Sequence, residues 1–277
     1  MNRPTMEHSS TAAETADTLE RVRRGSPLVH NIINYVAMDV AANALLAIGA
    51  SPVMAHALDE MRDFVAIAGA LTVNIGTLSP PWVEAMLVAT AAAAELGKPW
   101  VLDPVGVGAT PYRTGVAREL AGRRPTVIRG NASEILVLAG DRATRTKGVD
   151  STRAADEARD AARALARAAG CTVAVTGAVD YVTDGASALA VANGHVMMTR
   201  ITALGCTATA LVGACLAVGV APVAAAAHAL AILGACGEIA ARDAAGPGSL
   251  RWRIMDALYQ IDGDTLRRTA RVERVEV

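Results

Sequence analysis

The stretch TRITALGCTATALVGACLAV, residues 199–218, sets a Gly205-Cys206 step at the head of a run of small residues with helical character. A helix start offers unpaired backbone N–H groups and partial positive charge, which suits an anion and lowers a thiol pKa. Three readings follow: a phosphate site, a thiol nucleophile, or a tightly packed helix. Small buried cysteines are common in protein cores, and a thiol hydrolase needs a histidine partner. His30, His56, His195 and His228 are scattered, none in a recognisable relation to Cys206. Cys171, Cys215 and Cys236 read as core.

Other chemistry-bearing residues fall at turns after apolar runs. DPVGVGAT (103–110) places a carboxylate before a Pro that fixes a turn and two glycines that open it. Asp103 there either caps the turn or holds a metal or its water. In RGNASEI (129–135), Asn131 and Glu134 have the spacing of a capping box. If Asp103 and Glu134 face one crevice, they can also share a Mg²⁺ through water, as hard oxygen ligands do. In VTGAVDYVTDG (175–185), Thr176 offers a hydroxyl and N–H to a nucleotide phosphate, and Gly177 lets the backbone approach; a plain turn is the alternative. Asn31 and Asn34 cap turns, or edge an apolar pocket shared with Met54. There is no G-x-x-x-x-G-K-[ST] loop and no G-x-G-x-x-G after a first strand, which excludes a P-loop enzyme.

The elements that must carry these residues alternate. LTVNIG (71–76), WVLDPVG (100–106), TVIRGN (126–131) and CTVAVTG (171–177) read as buried strands, separated by helical stretches at 80–97, 112–122, 132–140 and 151–169. A helix is expected at about 36–48, with SPVMA returning as a short strand. Near-continuous apolar strands between helices imply an α/β fold with a mostly parallel sheet covered on both faces. DYVTDG, SALAVANG and HVMMTRI read as short strands of an antiparallel edge, before three helices near 205–219, 222–244 and 248–262. In such a sheet, ligands gather at the carboxyl ends of the strands. Asn74, Gly76, Asp103, Arg129, Asn131, Thr176, Gly177 and the Gly205-Cys206 turn all fall there.

Composition narrows the class. Of 277 residues, 52% are hydrophobic and 3% aromatic, so the core must be aliphatic and alanine-rich. A net charge of −1 gives no footprint for nucleic acid or an anionic membrane. Four dispersed cysteines without a C-x-x-C pair argue against a zinc site or a disulfide framework and for a reducing, cytoplasmic setting. Residues 1–14 read as a disordered tail without the apolar stretch of a signal peptide. The alanine-rich runs at 85–97 and 206–245 read as buried or subunit-contacting helices. No linker divides the chain.

Taken in order, VHNIINYV, NALLAIGASPVMAHA, NIGTLS, KPWVLDPVGVGAT, IRGNASEI, VAVTGAVDYVTDG, GCTATALVGACLAV and GPGSLRWRIMDALYQI resemble the hydroxyethylthiazole kinase family, of the ribokinase-like superfamily. The resemblance spans about residues 15–263, a single domain, and leaves 264–277 as an extension. It implies ATP- and Mg²⁺-dependent phosphorylation of 4-methyl-5-(2-hydroxyethyl)thiazole in thiamine salvage, by a homotrimer with active sites at subunit interfaces. Met54, Asn34 and the Ala203 position would line the thiazole site. Arg129, Thr176, Gly177 and Asn131 would contact ATP, and Asp103 and Glu134 would serve Mg²⁺. The Gly205-Cys206 turn would form the anion hole, with Cys206 where related sugar kinases place an aspartate base. Two positions depart from the family: Ala203 replaces a glycine in T-G-x-G-C, and Ile33 replaces a threonine in V-H-x-I-T-N. Alternatives are a related kinase for hydroxymethylpyrimidine, a dehydratase of hydrated nicotinamide nucleotides, or a nucleotide-binding protein with weakened catalysis.

Overall fold

β-Branched and apolar runs build a nine-stranded sheet in the computed structural model, which describes residues 4–140 and 151–277. The strands are β1 (Leu28–Ile32), β2 (Ser51–Val53), β3 (Ala70–Asn74), β4 (Trp100–Asp103), β5 (Val127–Asn131), β6 (Thr172–Thr176), β7 (Asp180–Thr183), β8 (Ala188–Val191) and β9 (Val272–Val275). Their order is β2-β1-β3-β4-β5-β6-β7-β8-β9. Pairing is parallel from β2 through β6 and antiparallel from β6 through β9. The fold is α/β with a mostly parallel sheet and helices on both faces, as expected.

Alternation along the strands divides the core into two layers. In β4, Val101 joins one apolar cluster while Trp100 and Leu102 join the other. The first cluster takes residues from α1 (Pro4–Gly25), α2 (Met38–Ala47), α8 (Leu204–Ala217), α9 (Pro222–Ala241), α10 (Pro247–Gln260) and α11 (Gly263–Thr269). The second takes residues from α3 (Met61–Ile67), α4 (Pro80–Glu95), α5 (Pro111–Ala121), α6 (Ala132–Leu138) and α7 (Ser151–Ala169). Small residues set the distance between layers. A Cβ on Gly213 of α8 would fall 2.7 Å from Thr72 Cγ2 and 3.0 Å from Val29 Cγ1, so the helix rests almost directly on β1 and β3. Among the described residues, α9 is the helix long and apolar enough to cross a membrane. It is instead mostly buried, 78% of its apolar window lying inside the fold.

Three expectations change. HVMMTRI is not a strand: Val196–Arg200 forms a 3₁₀ turn capped by His195, whose Nδ1 accepts from the Met197 N–H at 3.2 Å. Residues 4–14 belong to α1 rather than to a loose tail. Ala12, Ala16, Leu19 and Val22 recur on one buried face, and the Thr11 hydroxyl donates to the Val272 carbonyl. Within the segment 264–277, residues 264–269 lie in α11 and β9 joins the sheet by pairing with the edge of β8. Alanine-rich faces carry a weak hydrophobic signal, so these terminal pieces show only once they dock.

Candidate active site

Sheet order sets the site residues in a row, one strand apart at about 4.8 Å per step. Met54 follows β2, Asn34 follows β1, and Asn74, Asp103, Asn131 and Thr176 end β3, β4, β5 and β6. The first turn of α8 closes over this row. Amides of Leu204, Gly205 and Cys206 lie in the turn where a helix leaves its N–H groups unpaired.

Hydrogen bonds join most of the row into one chain. Asn34 Nδ2 donates to Asn74 Oδ1 at 2.8 Å and to Cys206 Sγ at 3.3 Å. Asn74 Nδ2 donates in turn to Asp103 Oδ2 at 2.8 Å, and the Thr209 hydroxyl donates to the same oxygen at 2.9 Å. Arg129 Nη1 lies 3.8 Å from that oxygen, while its Nη2 donates to the Thr176 hydroxyl at 2.9 Å. A Cβ on Gly205 would fall 2.7 Å from Arg129 Nη1, so glycine there is what lets α8 sit against the guanidinium.

Asp103 is fully buried, which pushes its carboxyl up to about 6; Arg129 opposes the shift and the nearby Glu134 adds to it. Its Oδ1 has no hydrogen-bond partner. A buried, orphaned carboxylate oxygen beside a second carboxylate fits a hard divalent cation. No group of three or more His, Cys, Asp or Glu able to hold a metal occurs among the described residues, so such an ion would draw its remaining oxygens from water and substrate. Glu134 completes the capping box: its Oε2 accepts from the Asn131 N–H at 2.8 Å and Asn131 Oδ1 accepts from the Glu134 N–H at 3.0 Å. Its Oε1 also accepts from Gly106 N–H at 2.9 Å, tying the DPVG turn to α6. The two readings of Glu134 are therefore compatible, whereas the oxygen of Asn131 is committed to the cap.

At Cys206, two influences compete. Burial raises its thiol above the ordinary value, and the Asp103 carboxylate raises it further; Asn34, Asn74 and Arg129 oppose without reversing the shift. The helix start does not win, because a buried thiolate would face a carboxylate. Ala203, the N-cap of α8, holds the left-handed conformation at φ 71°, the geometry for which a glycine is the ordinary choice. Ile33 is fully buried in the apolar core. Met54 is half-buried at the sheet edge, packed against the first core cluster, and hydrogen bonds do not tie it to the row.

Several contributors carried no sequence motif. Thr209 stands one helical turn beyond Gly205. Arg113 gathers the ends of β3 and β4 by donating to the carbonyls of Ile75, Val105 and Gly76. Asp180, at the start of β7, accepts from the Gly177 N–H at 2.9 Å, and burial pushes its carboxyl up to about 6. A cavity of about 620 Å³ opens beside Arg129, Thr176, Gly177, Asp180 and Gly205, and runs on to an apolar wall that includes Met198 and Leu230. A larger cavity of about 1290 Å³ lies by Thr126, Thr172 and Asp184 and contains none of the strand-end residues.

Comparison with known proteins bears on this arrangement. A hydroxyethylthiazole kinase from Cereibacter sphaeroides is 53% identical over 255 residues, 92% of this chain and 97% of its own length. The solved hydroxyethylthiazole kinase from Pyrococcus horikoshii OT3 superposes with a TM-score of 0.88 at 45% identity, covering 95% of this chain and 99% of that one. The Staphylococcus aureus pyridoxal kinase solved with pyridoxal shares the fold, with a TM-score of 0.61 at 18% identity over 91% of this chain and 99% of its own. The family model described as "HK: Hydroxyethylthiazole kinase family" matches residues 19–264. That span runs from α1 into α11 and takes in every strand-end residue of the row. With a continuous match across both the site and the sheet that carries it, the chain belongs to the hydroxyethylthiazole kinase family, a family of phosphotransferases.

Proposed function

We propose that this protein transfers the γ-phosphoryl group of ATP to the primary alcohol of 4-methyl-5-(2-hydroxyethyl)thiazole, serving thiamine salvage in a reducing, cytoplasmic setting. The unbroken polar chain from Cys206 through Asn34, Asn74 and Asp103 to Arg129 and Thr176, beside a cavity of about 620 Å³, carries this reading. One end presents an alcohol-sized polar pair, and the other presents a cation and a hydroxyl suited to phosphate.

The transition state of phosphoryl transfer is loose, so positioning and charge neutralisation dominate. Arg129 and the free amides at the start of α8 stabilise charge on the transferring group. Thr176 and Gly177 hold the phosphates behind it. Asp103 and Glu134 would hold Mg²⁺ through water, which would supply further charge neutralisation. Asn34 and Cys206 orient the alcohol, with Met54 and Ala203 lining its ring. Because the thiol keeps its proton, Cys206 acts as a positioning group. The alcohol oxygen forms the new O–P bond, its proton passes to an oxygen of the transferring phosphoryl group, and the P–O bond to ADP breaks.

Subunit contact belongs to the same proposal. Tyr35 and Val36, immediately after Asn34, are 65% and 57% exposed, and the Tyr35 ring rests 4.8 Å from that of Trp82. An apolar surface beside the alcohol site supports a homotrimer with active sites at its interfaces, a state that light scattering after gel filtration would read as three chains.

The decisive experiment measures ADP release from ATP and Mg²⁺ by purified protein, with and without the thiazole alcohol. Alcohol-dependent ADP formation is expected. ATP binding without any alcohol-dependent turnover would replace the kinase by a nucleotide-binding protein.

A further inference from the structure

Asp180 has a position that its bond to Gly177 does not explain. It opens β7, in a register that pairs Val175 with Tyr181 and so sets Asp180 beside Thr176. Its side chain is nearly buried, at 8% exposure. Oδ1 accepts from the Gly177 N–H. Oδ2 accepts from none of the described residues, and it is not among the polar atoms sealed from solvent. The residue lines the cavity that also takes in Arg129, Thr176 and Gly205, and Oδ2 is the oxygen left without a protein donor there.

An ionised carboxylate only accepts hydrogen bonds, and phosphate oxygens do not donate at neutral pH. A carboxylate in a phosphate-binding cavity therefore calls for a donor elsewhere on the ligand. Distance along the sheet narrows the choice. Arg129 lies on β5, Thr176 on β6 and Asp180 on β7, each about 4.8 Å further from the anion hole. A γ-phosphate at Arg129 and the α8 amides, with the preceding phosphates running past Thr176, brings the ribose to the level of Asp180. The apolar wall beyond, formed by Met198, Leu230 and Leu233, suits the base. The donors at this level are the ribose hydroxyls.

Resting on the kinase reading above, we propose that Asp180 is a specificity-determining residue. One oxygen fixes the Thr176-Gly177 turn, and the other accepts a hydrogen bond from a ribose hydroxyl of the bound nucleotide. The site would then prefer ribonucleoside over deoxyribonucleoside triphosphates.

The test compares ATP, 2′-deoxy-ATP, 3′-deoxy-ATP and a purine nucleotide lacking the 6-amino group, by calorimetric Kd and by kcat/KM. Wild type should bind one deoxy analogue about tenfold or more weakly than ATP and bind the analogue without the amino group as well as ATP. D180N keeps an acceptor for the Gly177 N–H but turns the other position into a donor. The amide can still donate to a hydroxyl oxygen but lacks the carboxylate charge, so D180N should weaken ATP more than that deoxy analogue and narrow the discrimination between them. Equal binding of all the ribose analogues by wild type would overturn the proposal without any variant. So would a D180N protein that weakens ATP and both deoxy analogues in parallel, which marks a structural role, or discrimination that follows the 6-amino group. If the protein binds nucleotide without turning over, the kinase reading fails while the binding comparison still decides the role of Asp180.

Discussion

Asn34 Nδ2 lies 3.3 Å from Cys206 Sγ, although 172 residues separate the two in the chain. The same nitrogen donates to Asn74, so the sulfur is coupled through two amides to the buried Asp103 carboxylate. A thiol in this setting is held above its ordinary pKa by burial and by Asp103, and it accepts a hydrogen bond rather than acting as a strong base.

Positioning by Cys206 has a distinct kinetic signature. C206A should reduce kcat by less than about 100-fold, below the roughly 100- to 10,000-fold loss expected for removal of a general base, with KM for ATP unchanged. C206D, which accepts the same Asn34 bond, should keep turnover. Steady-state kinetics on folded variants check both, and complete loss in C206D would show that the thiol itself is required.

Backbone strain at Ala203 predicts a stabilising change. A left-handed non-glycine residue costs roughly 1–2 kcal/mol, part of which is returned by the greater freedom of glycine in the unfolded chain. A203G should therefore stabilise the protein by about 0.5–1 kcal/mol, read as a higher urea midpoint at unchanged m value. It should also lower KM for the thiazole alcohol by removing a methyl group from the acceptor site.

Loss of Arg129 strands a buried charge. R129A leaves Asp103 without its cation, which should destabilise the fold by roughly 3 kcal/mol and raise the Asp103 carboxyl further above about 6. ATP affinity should fall by more than about tenfold, since a hydrogen bond to a charged group contributes roughly 1.5–3 kcal/mol. R129K should recover stability better than ATP affinity, because lysine restores charge without the planar fork. Urea unfolding and calorimetric titration with ATP separate the two effects.

Acid sensitivity is expected from His228, far from the site. The Thr18 hydroxyl donates to the Glu14 carbonyl and lies 2.8 Å from His228 Nδ1, so the ring places its proton on Nδ1 and leaves Nε2 bare and buried. Burial lowers the folded pKa from 6.5 to about 4. Stability from the neutral ring is thus fully present above pH 6.5 and is lost as pH falls towards 4. At roughly 1.4 kcal/mol per pKa unit the loss approaches about 3 kcal/mol. Urea unfolding at pH 7 and pH 4.5 should show a smaller drop for H228Q than for wild type.

Much of the fold and the location of the site are legible in the sequence, for local reasons. Apolar runs ending in Asn74, Asp103, Asn131 and Thr176 mark parallel strands, and Gly and Pro punctuation marks the turns that follow. The capping box at Asn131 and Glu134 also follows from short-range spacing, whereas the special backbone at Ala203 showed in the sequence only through the resemblance, which implies a glycine there. Tertiary structure alone decided what depends on burial and on partners distant in sequence. It decided among the readings of the helix-start thiol of Cys206 in favour of a protonated group, because desolvation and Asp103 outweigh the helix end. It packed the α1 face from Thr11 and Ala12 onward and the strand β9 into the fold, because an alanine face and a lone edge strand acquire meaning only against their partners. It placed Asp180 on the wall of the cavity that Arg129 and Thr176 line, because the β6–β7 register, invisible in a linear pattern, decides which residue stands beside Thr176.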